Sequence, residues 1–568
     1  MAGERLVTGR VWLVVAGTTL FAVLTGLLVW VAFSRGCTGE LPLSVTTAPE
    51  IASAVRQATQ QWTGTDPTVR GTCVTVRVAG ADPARVAAAI SARDNGDLDV
   101  AGAEPGATEI PQVWIPDATS WITRVRAVDR RSVGRDAPSI AMSPVVLTLP
   151  EPDARAEGWP GSPIGWDYAI AGMTSDPPMP VAIIEPRRSA VGLAGLLASA
   201  ELATSAANTA GKDPETAVLG MYRGLSMARA ATADELLGRM PRDPAEESRI
   251  RAALLSEREV RAYNATQPRV LLAAVYPEPA APALDYPYAT MAGLSPAESN
   301  AAGQLRDWLL GQSARTVFTR NGFRTPNGAV GAGFPSAGGA SPEPVPPPRD
   351  IGSDRITSAL VAWTEVSMAS RVLAVIDVSG SMSTPVPTAG GLTRLEVTRR
   401  AATAGLKLFT DDSELGLWVF STRLDGAKDY RELVPVGPLS SSRKQIAGAL
   451  KKATAKAGGA TGLYDTIAAA YQNMIEGYDP ERSNTVVVMT DGVNEDADGI
   501  SEDELLKRLA KLTDPAKPVH VVILGIGPDV DKHQLESVTG ATGGGVFVAT
   551  DPSKIGDIFL KALALPSS

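Results

Sequence analysis

The sequence predicts an α/β protein built from several structural units, and three observations carry that reading. Strand-like and helix-like segments alternate from Leu41 to about Asn327. A second α/β region closes the chain, with apolar, β-branched runs at Val372–Ile376, Thr485–Met489 and Val519–Leu524. An uncharged run from Val11 to Phe33 precedes both. A chain of 568 residues can bury several cores. Its formal net charge is −9, and its basic clusters are short pairs such as Arg187-Arg188, Arg399-Arg400 and Lys451-Lys452. A nucleic-acid partner is therefore set aside.

Taken in chain order, the first element is the run Val11–Phe33, whose 23 residues would span about 34 Å as a helix and cross a bilayer with some tilt. Residues 1–10 then form a cytoplasmic tail. Arg5 and Arg10 before the run, against Arg35 after it, place the bulk of the chain outside the cytoplasm. Val31–Arg35 offers no good small-residue cleavage site, so the segment reads as an uncleaved signal-anchor in the cell membrane. Ser34 and Arg35 likewise do not resemble a lipid-attachment signal ahead of Cys37. The chain has two cysteines, Cys37 and Cys73. In an oxidising space their pairing as a disulfide is the economical expectation, with a buried free thiol at Cys73 as the alternative.

The next region, 41–327, repeats a strand-then-helix pattern. Leu43–Val45 leads into a helix from Ile51 to Trp62 opened by Pro49-Glu50, and Val74–Val78 leads into a helix from Ala84 to Ile90 opened by Pro83. Val113–Asp117 and Ile140–Leu147 are further strand signals, so the sheet is parallel or mixed. Thr232–Asn264 has helical spacing with alternating charge and reads as a solvated helical pair. Tyr276–Tyr288, rich in proline and tyrosine, reads as an extended crossover. Residues 328–350 are rich in Gly, Ala and Pro, too poor in large apolar side chains to fold alone, and read as a semi-rigid linker.

The last region, 351–568, carries the chemistry. The run Val372–Ile376 ends in Asp377-Val378-Ser379-Gly380-Ser381, which supplies one carboxylate and two hydroxyls around a turn. Gly458-Gly459-Ala460-Thr461 precedes an amphipathic helix, and Thr490-Asp491-Gly492 ends the run Thr485–Met489. Loops at the carboxyl ends of strands in an open parallel sheet converge on one crevice. Asp377, Ser379, Ser381, Thr461 and Asp491 are therefore candidate ligands of one hard cation, which takes oxygen donors. The loop Asn494–Ile500 has the alternating oxygens of a calcium loop, but Leu505 stands where a bidentate glutamate is needed. Ser501 with Glu504, and Thr393 with Glu396, read instead as helix capping boxes. His520 reads as a core or edge residue of a strand and His533 as a solvated turn residue, so no catalytic constellation is seen and no enzyme is expected.

These motifs resemble the metal-ion-dependent adhesion site of von Willebrand factor type A domains, over about residues 351 to 568. The resemblance implies a doubly wound, Rossmann-like sheet holding Mg²⁺, with Mn²⁺ or Ca²⁺ as alternatives. It also implies that Ser379, Ser381 and Thr461 approach the metal and that Asp377 and Asp491 help through water. The open metal position would take a carboxylate from a protein partner. In the earlier region, Val113–Trp121, Ser143–Val146, Val275–Ala289 and Asn321–Arg324 resemble the two-lobed, type II solute-binding proteins of bacterial importers. That resemblance implies a small-molecule or anion site, for which the helix starts near Thr47 and Ser189 are candidates. The Ala/Gly/Arg/Val-rich composition is of actinobacterial type. The leading functional expectation is metal-dependent protein binding at the cell envelope, as adhesion or scaffold, with a solute-binding domain able to sense a ligand. Two alternatives stand beside it: the solute-binding component of an importer, and an accessory subunit to an ATPase or chelatase-like partner. No phosphate-binding Gly-x-x-x-x-Gly-Lys loop occurs in this chain.

Overall fold

The computed structural model describes residues 37, 39–94, 96–102, 108–173, 179–335, 339–527, 530–549 and 551. The apolar run Val11–Phe33 lies outside the described residues. The chain divides into two compact units. One holds the described residues up to Ser143 together with 283–335 and 342–350, and the other holds 144–282, 339–341 and 351–551.

The first unit is built on a mixed five-stranded sheet. Its centre is β1 (Glu40–Thr47), which pairs in parallel with β2 (Thr72–Gly80) and β3 (Val113–Ile115). The short strands Thr68–Val69 and Ala289–Thr290 close its two edges in antiparallel fashion. Helix α1 (Ala52–Thr63) buries Val55, Ala58 and Trp62. Helix α2 (Pro83–Arg93) is capped by Asp82, whose carboxylate accepts from the Ala84 amide. Pairing of Glu40 with Cys73 brings Cys37 alongside, and the two cysteines are joined in a disulfide with Cα atoms 5.1 Å apart. Parts of the segments that carry the solute-binding resemblance meet inside this unit. Asp285, buried, accepts from the Thr119 amide and from the Thr119 and Ser139 hydroxyls. Met142 and Arg324 exchange two backbone bonds of 2.9 and 2.8 Å.

The second unit contains two sheets. In the first, β4 (Val145–Pro150) runs antiparallel to β6 (Ala252–Ser256) and β7 (Leu272–Val275), while β5 (Val181–Ile184) runs parallel to β6 and to the short strand Arg229–Ala230. Every residue of β4, β5, β6 and β7 is buried. One expectation is corrected here: Thr232–Asn264 is not a solvated helical pair. It holds the short helix Ala233–Leu237, the buried strand β6 and the helix Glu257–Ala265. The five residues Ala252–Ser256 are too short to show a period, and the charges on both sides masked a strand that tertiary burial selects. Helix α3 (Ala190–Thr209) is long and apolar enough to cross a membrane, yet two thirds of it is buried against this lobe. It is followed by α4 (Pro214–Ser226).

The second sheet is six-stranded. Helix α5 (Ser353–Ser367) leads into β8 (Ser370–Asp377), and β9 (Glu414–Asp425), β10 (Lys428–Pro438), β11 (Ser483–Thr490), β12 (Val519–Ile526) and β13 (Gly545–Ala549) complete the order β10-β9-β8-β11-β12-β13. All pairs are parallel except the β9–β10 hairpin at one edge. Helices α6 (Arg394–Leu406) and α7 (Leu439–Lys452) cover one face, whose core includes Val372, Ile376, Phe409, Leu417 and Met489. Helices α8 (Leu463–Glu476), α9 (Glu502–Leu512) and α10 (Lys532–Gly540) cover the other, around Leu373, Val375, Phe420, Tyr471 and Ile523. Burial on both faces is why β8, β11 and β12 read as continuous apolar runs. His520 is buried on β12, its Nδ1 3.1 Å from the Thr542 carbonyl, and His533 lies exposed in the first turn of α10 rather than in a turn.

Candidate metal centre

The five candidate residues sit at the carboxyl ends of β8 and β11 and in the loop before α8. Asp377 is the last residue of β8 and is fully buried. Its Oδ1 accepts from the Ser379 amide at 2.8 Å and its Oδ2 from the Thr490 hydroxyl at 2.7 Å. Burial is the main reason its carboxyl is pushed up to about 6. Its hydrogen bonds with Ser379 and Thr490 oppose that shift, and the nearby Asp491 charge adds to it.

From Asp377 the chain turns so that the two serine hydroxyls meet and Ser381 reaches Asp491. Ser379 Oγ lies 2.9 Å from Ser381 Oγ, and Ser381 donates to Asp491 Oδ1 at 2.7 Å. The other oxygen of Asp491 is held by Arg394, 3.0 Å away at the start of α6. The Gly380 amide donates to the Gly459 carbonyl at 2.8 Å. The Lys456 amide donates to the Val378 carbonyl at 2.7 Å, so the 456–461 loop is tied to the 377–381 loop at two points.

Thr461 is buried, and its carbonyl accepts from the Glu495 amide at 2.9 Å, which binds the third loop to the segment after Asp491. Its hydroxyl would lie 3.9 Å from a Cβ placed on Gly492. The three loops thus meet. The donor set they offer is entirely oxygen, two carboxylates and three hydroxyls, which fits a hard divalent cation better than a thiolate- or imidazole-seeking one.

Three partners of this site were not singled out from the sequence. Thr490 sits inside the Thr490-Asp491-Gly492 motif, and its hydroxyl orients Asp377. Asn494 caps α8, its side-chain oxygen accepting from the Leu463 and Tyr464 amides. Arg394 follows the helix cap Thr393, whose reciprocal box with Glu396 is present as expected. A signal was available for Thr490 and Asn494, both within three residues of Asp491, and none for Arg394. Ser501 also caps its helix, accepting from the Glu504 amide.

The acidic loop after Asp491 is drawn into a different cluster. Carboxylate oxygens of Asp429, Asp465 and Asp496 lie within 4.8 Å of one another. Burial raises the Asp429 pKa, the Arg423 amide opposes this, and Asp496 adds to it. Each carboxylate also accepts a backbone amide, from Arg423, Ile500 and Asp498 respectively.

The candidate solute contacts have local partners. The Thr47 hydroxyl donates to the Ala48 carbonyl at 3.0 Å, and Ser189 caps α3 by accepting from the Gly192 amide at 3.2 Å.

Residues 372–561 match the von Willebrand factor type A domain, and residues 43–324 match the bacterial extracellular solute-binding protein family. An uncharacterized protein of Mycobacterium tuberculosis, present in two strains, is 26% identical over 592 aligned residues, covering 96% of this chain and 82% of its own. Among solved structures, a von Willebrand factor type A protein from Catenulispora acidiphila is 19% identical over 34% of this chain and 42% of that one, with a TM-score of 0.29. A mussel byssus matrix protein with a zinc-occupied adhesion motif is 17% identical over 34% and 47%, with a TM-score of 0.28. A periplasmic thiamin-binding protein is 11% identical over 58% and 96%, with a TM-score of 0.38. The chain therefore joins an extracellular solute-binding domain to a von Willebrand factor type A domain, which points to a secreted or envelope protein.

Proposed function

We propose that this protein is a metal-dependent protein-binding component of the cell envelope. In this reading Ser379, Ser381 and Thr461 hold Mg²⁺, and Asp377 and Asp491 hold its water ligands. The observation that carries the reading is the unbroken line of oxygens from Ser379 through Ser381 to Asp491, beside the buried Asp377. When bound, the ion supplies an electrophilic position that a carboxylate of a protein partner can fill. The chain's own residues do the rest. Thr490 and the Ser379 amide hold Asp377 in place, and Arg394 fixes the outer oxygen of Asp491. Because the protein oxygens are mostly hydroxyls, the site keeps little negative charge of its own to repel an acidic partner.

The run Val11–Phe33 is the proposed single membrane anchor, with the two domains outside the cytoplasm. The solute-binding domain is the proposed sensor of a small ligand, with Thr47 and Ser189 as candidate contacts. Binding is favoured over catalysis because the residues around the metal loop include no imidazole, His520 being committed to the Thr542 carbonyl.

The test is capture of envelope proteins by the full chain in Mg²⁺, in EDTA, and with Asp377→Ala. Partners retained only by the wild type in Mg²⁺ are the expected result. Equal capture in all three arms, with the variant folded, would remove the metal loop from the contact.

A further inference from the structure

Within the second unit, a buried cation, Arg223 of α4, is one of the ties between the lobe that carries α3 and α4 and the von Willebrand factor type A domain, and it alone of those named here reaches past α5 to the end of α6. Arg223 is 5% exposed. Its Nε donates to the Leu408 carbonyl at 2.6 Å, its Nη1 donates to the Val366 carbonyl at 2.5 Å, and its guanidinium lies 5.6 Å from the Phe409 ring centroid. Val366 is in the last turn of α5, and Leu408 lies just past the end of α6. One side chain therefore satisfies carbonyls at the carboxyl ends of two helices, where intrahelical donors run out and the helix dipole favours a cation. Only a planar, forked donor can serve both carbonyls and lie over Phe409 at once.

α5 leads into the metal loop and α6 starts beside it. α5 passes through Met368 and Ala369 into β8, which ends at Asp377. α6, about 20 Å long, starts at Arg394, which holds Asp491. Other ties between this lobe and α5 do not touch α6. Trp363 donates to Glu185 at 3.0 Å and packs edge-on against Tyr222, and Arg229 donates to the Ser367 carbonyl at 3.3 Å.

We propose that Arg223 is a positioning residue for the metal loop, through which the second lobe of the solute-binding domain sets the placement of α5 and α6 and so of Asp377 and the Arg394–Asp491 pair. The proposal rests on the metal-binding reading above. α6, clasped just past its carboxyl end, carries Arg394 and its bond to Asp491 at its other end, while α5, clasped at its carboxyl end, runs from that end straight into β8 and Asp377.

The experiment is a Mn²⁺ titration of the full chain by calorimetry in five forms: wild type, Asp377→Ala, Arg223→Met, Arg223→Lys and Trp363→Phe. Arg223→Met is expected to weaken Mn²⁺ binding about five- to tenfold. Arg223→Lys keeps the charge and one bond and is expected to lose about threefold. Trp363→Phe is expected to lower thermal stability and leave the affinity at the wild-type value, which separates positioning from general packing. Wild-type affinity in Arg223→Met, or equal losses in Arg223→Met and Trp363→Phe, overturns the proposal. Should Arg223→Met fail to fold, Arg223→Lys is read in its place, and wild-type affinity there overturns it equally. If Asp377→Ala binds as the wild type does, or neither binds, the metal reading has failed. Amide exchange over Ser379–Thr384 then decides: faster exchange in Arg223→Met than in Trp363→Phe upholds the positioning, and equal exchange ends it.

Discussion

The metal loop and the helix starts of the solute-binding domain use the same raw material, a hydroxyl at or soon after a strand end, and they end differently. Ser379 and Ser381 point their hydroxyls at each other and at Asp491, 110 residues beyond Ser381. Thr47 and Ser189 turn theirs onto backbone within three residues. Ser189 is a helix cap and Thr47 closes onto the next carbonyl, so removal of either hydroxyl affects local stability. A hydroxyl bonded between the loops that follow β8 and β11 has been placed by the sheet, and its removal affects whatever the loops jointly hold. Burial sharpens the contrast, since Asp377 is an acid kept out of water and, among the described residues, its oxygens meet the Ser379 amide and the Thr490 hydroxyl rather than a cation, an arrangement disfavoured unless something else is gained.

The largest effect should come from emptying the metal loop. Ser379→Ala with Ser381→Ala is expected to weaken Mg²⁺ binding about 100-fold or more, read by calorimetry, with little change in melting temperature. An unchanged affinity would put these hydroxyls in the same class as the caps. Asp377→Asn should separate function from stability: Mg²⁺ affinity falls about 10- to 100-fold, while the metal-free protein melts at or above the wild-type temperature at pH 7. A lower melting temperature would mean that the buried charge is compensated in a way the Ser379 and Thr490 bonds do not explain.

The acidity of Asp377 gives the same contrast a pH axis. Its carboxyl titrates near 6 in the folded, metal-free protein, above the ordinary carboxylate value. A raised folded pKa means that this group favours folding fully below the unfolded value and that the benefit is lost as pH rises through about 6. Metal-free stability from this group should therefore fall between pH 4 and 7. Mg²⁺ affinity should rise over the same window, because the deprotonated carboxylate is the form that serves the ion. Asp377→Asn should flatten both profiles, and a wild-type Mg²⁺ affinity that is flat across the window would exclude Asp377 from the site. The smallest effect belongs to the caps. Ser189→Ala should lower stability by about 1 kcal/mol in chemical denaturation and leave Mg²⁺ affinity unchanged. If the variant instead changes anion or solute binding without changing stability, Ser189 serves a ligand.

Much of the architecture was legible in the residues. The buried strands β8, β11 and β12 stood out because burial on both faces leaves no polar positions to blur them, and Pro83 announced a helix start. The β9–β10 hairpin and strand β6 were less visible. β10, at the sheet edge, mixes polar and apolar residues like many loops, and five residues of β6 between charged neighbours carry no measurable period; the apolar run Leu415–Phe420 of β9 did carry a signal, although no strand was predicted there.

By itself the sequence determined which oxygens are available and that they fall at strand ends, since a run of β-branched residues terminated by Asp, Ser and Gly can hardly do otherwise. Only the tertiary structure decided which of them meet. It set Arg394 against Asp491, gathered Asp429, Asp465 and Asp496 from three separate elements, and brought Arg223 from one domain onto the helix ends of the other. These are contacts between residues 31 to 185 positions apart, from Asp465–Asp496 to Arg223–Leu408. Local propensity fixes neighbours within a turn or a strand, whereas long-range pairing is fixed only when the sheet order and the buried faces have closed around it.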